Sequence, residues 1–323
     1  MNSKSKIIVV GAGLSGIMTA KYFSSHNPVI YEMSDRKIFS DEHAAVMRVK
    51  GPEVGMILGC PMKKINISKA IYADGKLHNE PDIRLKNMYS LKVTGTIAER
   101  SIDYSSNRND ERFIFTQDSI PKYHDVRFRT KIKRITDNRE IISICDRKET
   151  LTEDVEIIIS TIPMPAMLEI TGVKHSIKFE YQPIKVTTAD INVQSSVHQT
   201  IYFPELGINI YRATLENRKM MIESINDWPT DAEIDIVKWC FSVSELSDVN
   251  TKEQRFGKIT AVDDSFRRSI IMELTQRFNV YSIGRFATWN PAVKADDVVN
   301  DLKRIEKLIN LSEVNRKYES YID

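Results

Sequence analysis

Ile7-Ile8-Val9-Val10-Gly11-Ala12-Gly13-Leu14-Ser15-Gly16 decides the fold. Four apolar residues halted by glycine read as a short buried strand, and Ile17, Met18, Ala20 and Phe23 then recur at helical spacing. Val29-Ile30-Tyr31 reads as the next strand, so the chain opens as a βαβ unit with a GxGxxG turn between strand and helix. Gly11 permits the tight turn, Gly13 lets a pyrophosphate approach the backbone, and Gly16 lets the helix pack close to the strand. The helix N-terminus at Leu14 and Ser15 offers free N–H groups and partial positive charge to phosphates. Glu32, ending the second strand, supplies a carboxylate that accepts from ribose hydroxyls and repels a 2′-phosphate, which disfavours NADP. The turn alone does not separate FAD from NAD.

Outward from this unit, residues 38–120 are polar and rich in turn signals and read as an irregular insertion with short strands. Residues 126–135 alternate as a half-buried strand, and 155–159 form an apolar strand stopped by Pro163 and Pro165. Strand-like runs fill 180–225, residues 230–247 and 263–277 read as helices, and residues 281–283 read as a last strand. A final helix begins near Asp296, with Val298, Val299, Leu302 and Ile305 on one face. The fold class is α/β: a Rossmann-like FAD/NAD(P)-binding domain from 1–50, 120–172 and 265–323, with a sheet-rich α+β substrate region from 51–119 and 173–264.

Composition narrows the classes. The 323 residues carry 46 basic and 44 acidic side chains, a net charge of +2, which gives little encouragement to a nucleic-acid or anionic-membrane partner. Three scattered cysteines form no CxxC pair, which argues against a disulfide framework and fits a reducing cytoplasm. No apolar run is long enough for a membrane helix, and the run at 7–10 is too short for a signal peptide. The six histidines show no metal-ligand spacing, so no metal site is expected.

Three separated segments resemble the flavin-binding domain shared by amine oxidases, protoporphyrinogen oxidase and UDP-galactopyranose mutase. The first runs from Gly11 to Arg36, where Glu32-Met33-Ser34-Asp35-Arg36 is similar to an acid-x-x-x-Arg stretch near ribose and adenine. The second, Asp154 to Pro163, resembles an apolar strand ending in Thr-x-Pro, with Thr161 and Pro163 beside the cofactor and the preceding strand at Ile132 offering backbone to adenine. The third joins Gly284-Arg285 and nearby Trp289 to the helix opening at Asp296-Asp297-Val298. In the family that helix points its N-terminus at the flavin edge that becomes anionic on reduction, a favourable placement. The resemblance implies non-covalent FAD, since no cysteine sits in an attachment motif. The family's Gly-Gly after the Glu/Arg stretch is missing: the chain reads Lys37 to Ala45 there.

On the substrate side, His43, Arg48 and Lys50 lie where the missing Gly-Gly leads toward the flavin, and His43 is a candidate base or flavin hydrogen-bond donor. Tyr211-Arg212 resembles a mutase-like pair whose arginine grips phosphate or carboxylate through its planar fork. The expected function is FAD-dependent oxidation of an amine-bearing or related small substrate by hydride transfer to flavin N5. The first alternative is a redox-neutral mutase-, isomerase- or lyase-like flavoenzyme acting on a phosphate- or sugar-bearing substrate. NAD-dependent dehydrogenation and flavin binding without catalysis are the others. The expected partner is a small molecule, anionic or tethered to something larger.

Overall fold

A computed structural model describes residues 7–35, 46–97, 110–152, 155–192 and 198–311. The chain opens with β1 (Ile7–Val10), α1 (Leu14–Tyr22) and β2 (Val29–Tyr31). There follow β3 (Val46–Val49), α2 (Glu53–Leu58), β4 (Lys63–Ala73), β5 (Lys76–His78), α3 (Ile83–Thr94) and β6 (Asp110–Thr116). Then come β7 (Val126–Arg127), β8 (Thr130–Ile135), β9 (Ile141–Cys145), β10 (Lys148–Thr152), β11 (Ile157–Ser160) and α4 (Met164–Thr171). The next stretch holds β12 (Tyr181–Ile191), β13 (His198–Tyr202), β14 (Ile210–Glu216), β15 (Lys219–Ile225), α5 (Asp231–Phe241) and β16 (Leu246–Ile259). The last elements are α6 (Asp264–Phe278), β17 (Val280–Ser282), α7 (Gly284–Ala287) and α8 (Ala295–Ile309).

Five strands form a parallel sheet in the order β17-β11-β1-β2-β7. Its central strands, Ile7–Val10 and Ile157–Ser160, are buried throughout, as expected for a sheet covered on both faces. The largest core cluster joins these strands to Ile17 and Met18 of α1, Met167 of α4, Ile271 and Leu274 of α6, and Leu302 and Ile305 of α8. β8, β9 and β10 make a small antiparallel sheet, and the rest form a nine-stranded sheet in the order β16-β12-β15-β14-β13-β4-β6-β3, with β5 paired to β4.

Alternation divides the large sheet's two faces. Ile201, Ala213 and Leu215 pack with Val237 and Cys240 of α5. On the other face, Tyr202 and Tyr211 meet Leu85, Tyr89 and Val93 of α3, while residues further along that face border a cavity.

Several sequence expectations are corrected. The segment read as irregular holds an 11-residue strand and the 12-residue helix α3, which is N-capped by Asp82 accepting from Leu85 N–H at 2.7 Å. The strand read over 126–135 breaks at Arg129, whose φ is +53°. The helix read over 230–247 stops at Phe241, with Ser242 in the left-handed region. From Leu246 the chain becomes a 14-residue edge strand. Its mostly charged and polar residues give almost no apolar periodicity, so nothing in the sequence marked it.

Candidate functional site

The GxGxxG turn is locked from three directions. Gly11 N–H donates to Tyr31 O at 2.9 Å, and Thr161 closes over the turn, its hydroxyl donating to Val10 O at 2.8 Å. Gly11 has φ +99°, and a Cβ there would stand 2.8 Å from Thr161 Oγ1, while a Cβ on Gly16 would overlap the Gly11 carbonyl. Gly13 differs, because a Cβ there would meet nothing within 4 Å. The space over Gly13 is where the backbone can be approached from outside. Helix α1 begins with no side-chain cap from the described residues, so its first N–H groups have no side-chain acceptor there. Gly284, with φ +84°, packs against Ser15 and Val298, which brings the Gly-Arg segment and α8 onto the same turn.

Glu32 is 9% exposed, and its two oxygens accept from Ala12 N–H at 2.7 Å and Ser34 N–H at 2.8 Å. An ionised carboxylate has about four acceptor sites, so two lone pairs remain for a ribose. Thr130 N–H donates to Glu32 O at 2.9 Å, which places β8 at the end of β2. Ile132 on β8 is buried and paired with Ser143. Pro163 caps α4. At the start of α8, Asp297 accepts from Lys294 N–H at 2.8 Å as a capping group. Asp296 instead holds the turn after β3, accepting from Lys50 N–H at 2.9 Å and Gly51 N–H at 3.0 Å.

A cavity of about 710 Å³ lies between this turn and the large sheet, bordered by Leu14, Arg285, Ala295 and Asp296 at one end. Its sheet wall comes from alternate positions of paired strands. The register sets Thr200 opposite Thr214 and Tyr202 opposite Arg212, and all four reach the cavity. A β-bulge between Ile210 and Arg212 lets the adjacent Tyr211 and Arg212 share one acceptor. The Tyr211 hydroxyl donates to Glu223 Oε1 at 2.7 Å, and Arg212 grips both Glu223 oxygens, its Nη2 at 2.7 Å.

Eight basic and five acidic side chains border the cavity, so its potential favours an anion. Arg48 pairs with Glu216 through Nε and donates to Thr200 Oγ1 at 2.6 Å through Nη1, leaving Nη2 buried without an acceptor among the described residues. Glu216 also binds His198 Nδ1, and the buried His198 Nε2 has no partner among the described residues. Burial lowers the Arg48 pKa; Glu216 opposes this, and nearby Arg212 adds repulsion. For Arg212 burial also acts against the charge, but Glu223 and Tyr211 outweigh it and raise the pKa well above the ordinary value. Lys258 lies over the Tyr211 ring, its Nζ 4.5 Å from the centroid. Desolvation, then repulsion from Arg212, lowers its pKa to about 7.

Of the residues expected from sequence, Leu14, Arg48, Lys50, Arg212, Arg285 and Asp296 border the cavity. Tyr211 does not reach it; it is fully buried and acts through Glu223. Trp289 does not border the cavity. It is fully buried, its indole donates to Thr260 O at 3.0 Å, and its ring packs on Phe179 and Phe256. Met33 is 71% exposed and makes no pocket wall. Arg36 and His43 lie outside the described residues. Sequence reasoning missed Glu216, His198, Thr200, Glu223 and Lys258. Their only signal is the polar side of strand alternation, which solvent-facing positions share.

No protein-family model matches the chain, and no curated protein matches it in sequence. Its fold does match solved structures. Reduced UDP-galactopyranose mutase aligns over 97% of this chain and 97% of its own, with a TM-score of 0.68 and 15% identity. The CLA-producing fatty acid isomerase from P. acnes aligns over 96% of this chain and 100% of its own, with a TM-score of 0.63 and 11% identity. Cyclohexylamine oxidase from Brevibacterium oxydans IH-35A aligns over 94% of this chain and 100% of its own, with a TM-score of 0.62 and 11% identity. At such identities the likeness establishes the mixed α/β fold and leaves the chemistry to the site. Among the described residues no helix is long and apolar enough to cross a membrane.

Proposed function

We propose that the chain binds FAD non-covalently in a Rossmann-like domain and uses it on a small substrate held in the cavity. The convergence of Gly13, Thr161, Gly284 and the start of α8 around one open turn carries this reading. Gly11–Gly16 and the uncapped N-terminus of α1 would hold the pyrophosphate, and Glu32 the adenosine ribose. Thr161 and Pro163 beside the turn, with Arg285 and the start of α8 at the cavity border, would flank the flavin. In this reading the parallel sheet, from 1–50, 120–172 and 265–323, serves the cofactor, and the nine-stranded sheet, drawn mainly from 51–119 and 173–264 with β3 added from the first segment, serves the substrate.

FAD, when bound, supplies a hydride or electron acceptor at the flavin. The residues of this chain bind and orient the substrate: Arg48 and Arg212 present planar donor forks at the cavity wall. The reaction we favour is oxidation of an amine-bearing or related small substrate. The excess of basic side chains around the cavity supports a second reading, redox-neutral mutase- or isomerase-like turnover of a phosphate-bearing substrate. Anaerobic mixing separates them. An oxidase bleaches its flavin band at ~450 nm on adding a substrate amine, whereas a redox-neutral enzyme turns over only after dithionite reduction.

A further inference from the structure

We infer that Arg48 is the anchor for an oxyanion on the substrate, and that Thr200 and Glu216 build it for that purpose. This rests on the reading of the cavity as the substrate site and goes beyond it in assigning the substrate's anionic group to one guanidinium.

Arg48 stands on β3, at one edge of the large sheet, yet its partners come from β13 and β14. Glu216 takes Nε and Thr200 takes Nη1, which fixes the plane of the guanidinium. Among the described residues, Nη2 is then the one nitrogen of the fork that is buried and unpartnered. A buried charged donor without an acceptor is costly, and native proteins rarely leave one unless a ligand completes it. Glu216 already accepts from Arg48 Nε and from His198 Nδ1 and does not accept from Nη2.

A second guanidinium borders the same cavity. Arg212 lies close enough for its charge to act against that of Arg48, and both border the cavity. Arg212 commits Nε and Nη2 to Glu223, leaving Nη1 as its remaining nitrogen. Two like charges in a desolvated wall repel, and an anion between them removes that repulsion while accepting from both. Oxyanions with two or more oxygens, a carboxylate or a phosphate ester, match planar guanidinium donors. A neutral substrate would leave Nη2 unsatisfied and the repulsion in place.

The test is calorimetric titration of the flavin-loaded protein with inorganic phosphate and with acetate, at matched ionic strength, for wild type, Arg48→Lys and Arg48→Met. Wild type is expected to bind at least one of the two anions. Tighter phosphate binding assigns a phosphate-bearing substrate, and tighter acetate binding a carboxylate. Arg48→Met should weaken binding about ten-fold or more, the scale of a charge-assisted hydrogen bond. Arg48→Lys keeps a cation beside Glu216, so it keeps the fold if Met does not, and it should still bind more weakly because the fork is lost. Wild type that binds neither anion, or affinity unchanged in Arg48→Lys, overturns the anchor. A protein that holds FAD yet binds no anion sinks the anchor alone, whereas one that takes up no FAD sinks the flavin reading.

Discussion

Gly284 and Ser15, from opposite ends of the chain, lie against each other: a Cβ on Gly284 would stand 2.5 Å from Ser15 Oγ and 3.2 Å from Ser15 Cβ. Through this contact the strand β17 and the GxGxxG turn form one surface. Gly284→Ala adds a clash to a left-handed backbone, φ +84°, that alanine adopts at a cost of about 1–3 kcal/mol. The expected outcome is a lowered thermal midpoint together with reduced flavin per mole of protein, read from the visible-to-ultraviolet absorbance ratio. A variant with full flavin content would separate Gly284 from the cofactor site.

Glu32 ties the turn to the end of β2 through Ala12 and Ser34. Glu32→Ala leaves two backbone donors unpaired and removes the ribose acceptor. FAD affinity should fall by about ten-fold or more, since hydrogen bonds to a charged group are worth about 1.5–3 kcal/mol. Equilibrium dialysis against FAD measures this directly, and an unchanged affinity would rule out a ribose contact.

Lys258 predicts a pH dependence of defined sign. Its folded pKa, about 7, lies below the ordinary lysine value of 10.5. Between those values the unfolded chain holds the proton more tightly, so stability rises with pH across that window. Lys258→Met removes this contribution. The variant should be most favoured relative to wild type near pH 7 and lose that advantage as pH approaches 10, in parallel thermal melts. A difference that stays flat with pH would show that the ammonium is not desolvated.

Lys92 predicts a structural effect without a cofactor effect. Its Nζ donates to Phe203 O at 2.8 Å, Glu205 O at 2.8 Å and Ile210 O at 2.6 Å, fastening α3 to the β13–β14 connection. Desolvation lowers its pKa to about 7, against the opposing charges of Glu233 and Glu205. Lys92→Met should cost about 3 kcal/mol in chemical denaturation, because three buried acceptors lose their donor. The flavin spectrum of the folded fraction should not change.

Trp289→Phe distinguishes a core tryptophan from one facing the cofactor. Phenylalanine retains most of the packing against Phe179 and Phe256 but drops the bond to Thr260 O. A loss of about 1–2 kcal/mol in stability with unaltered flavin absorbance is expected. A shifted flavin spectrum at unchanged stability would return Trp289 to the site.

Legibility in the sequence followed the range of the interactions. The βαβ opening, the strand at Ile157–Ser160 and helix α8 are local: apolar period, glycine spacing and a following helix suffice to place them. The cavity wall is not local. Arg48 acquires meaning only when pairing brings Thr200 and Glu216 beside it, 152 and 168 residues away in the chain. The Tyr211-Arg212 pair was visible as a motif, but its shared acceptor Glu223 depends on a bulge that leaves no trace in composition. An aromatic near Gly-Arg, such as Trp289, reads alike in sequence whether it faces a ligand or the core. The strand β16 was lost because an edge strand dressed in charge resembles a loop.

The central claim is that the turn at Gly11–Gly16 holds FAD. The most direct measurement is the visible absorption spectrum of the purified protein, followed by chromatographic identification of whatever nucleotide denaturation releases. The account predicts flavin bands near ~375 and ~450 nm and release of intact FAD. A colourless protein that takes up no FAD on reconstitution would contradict it.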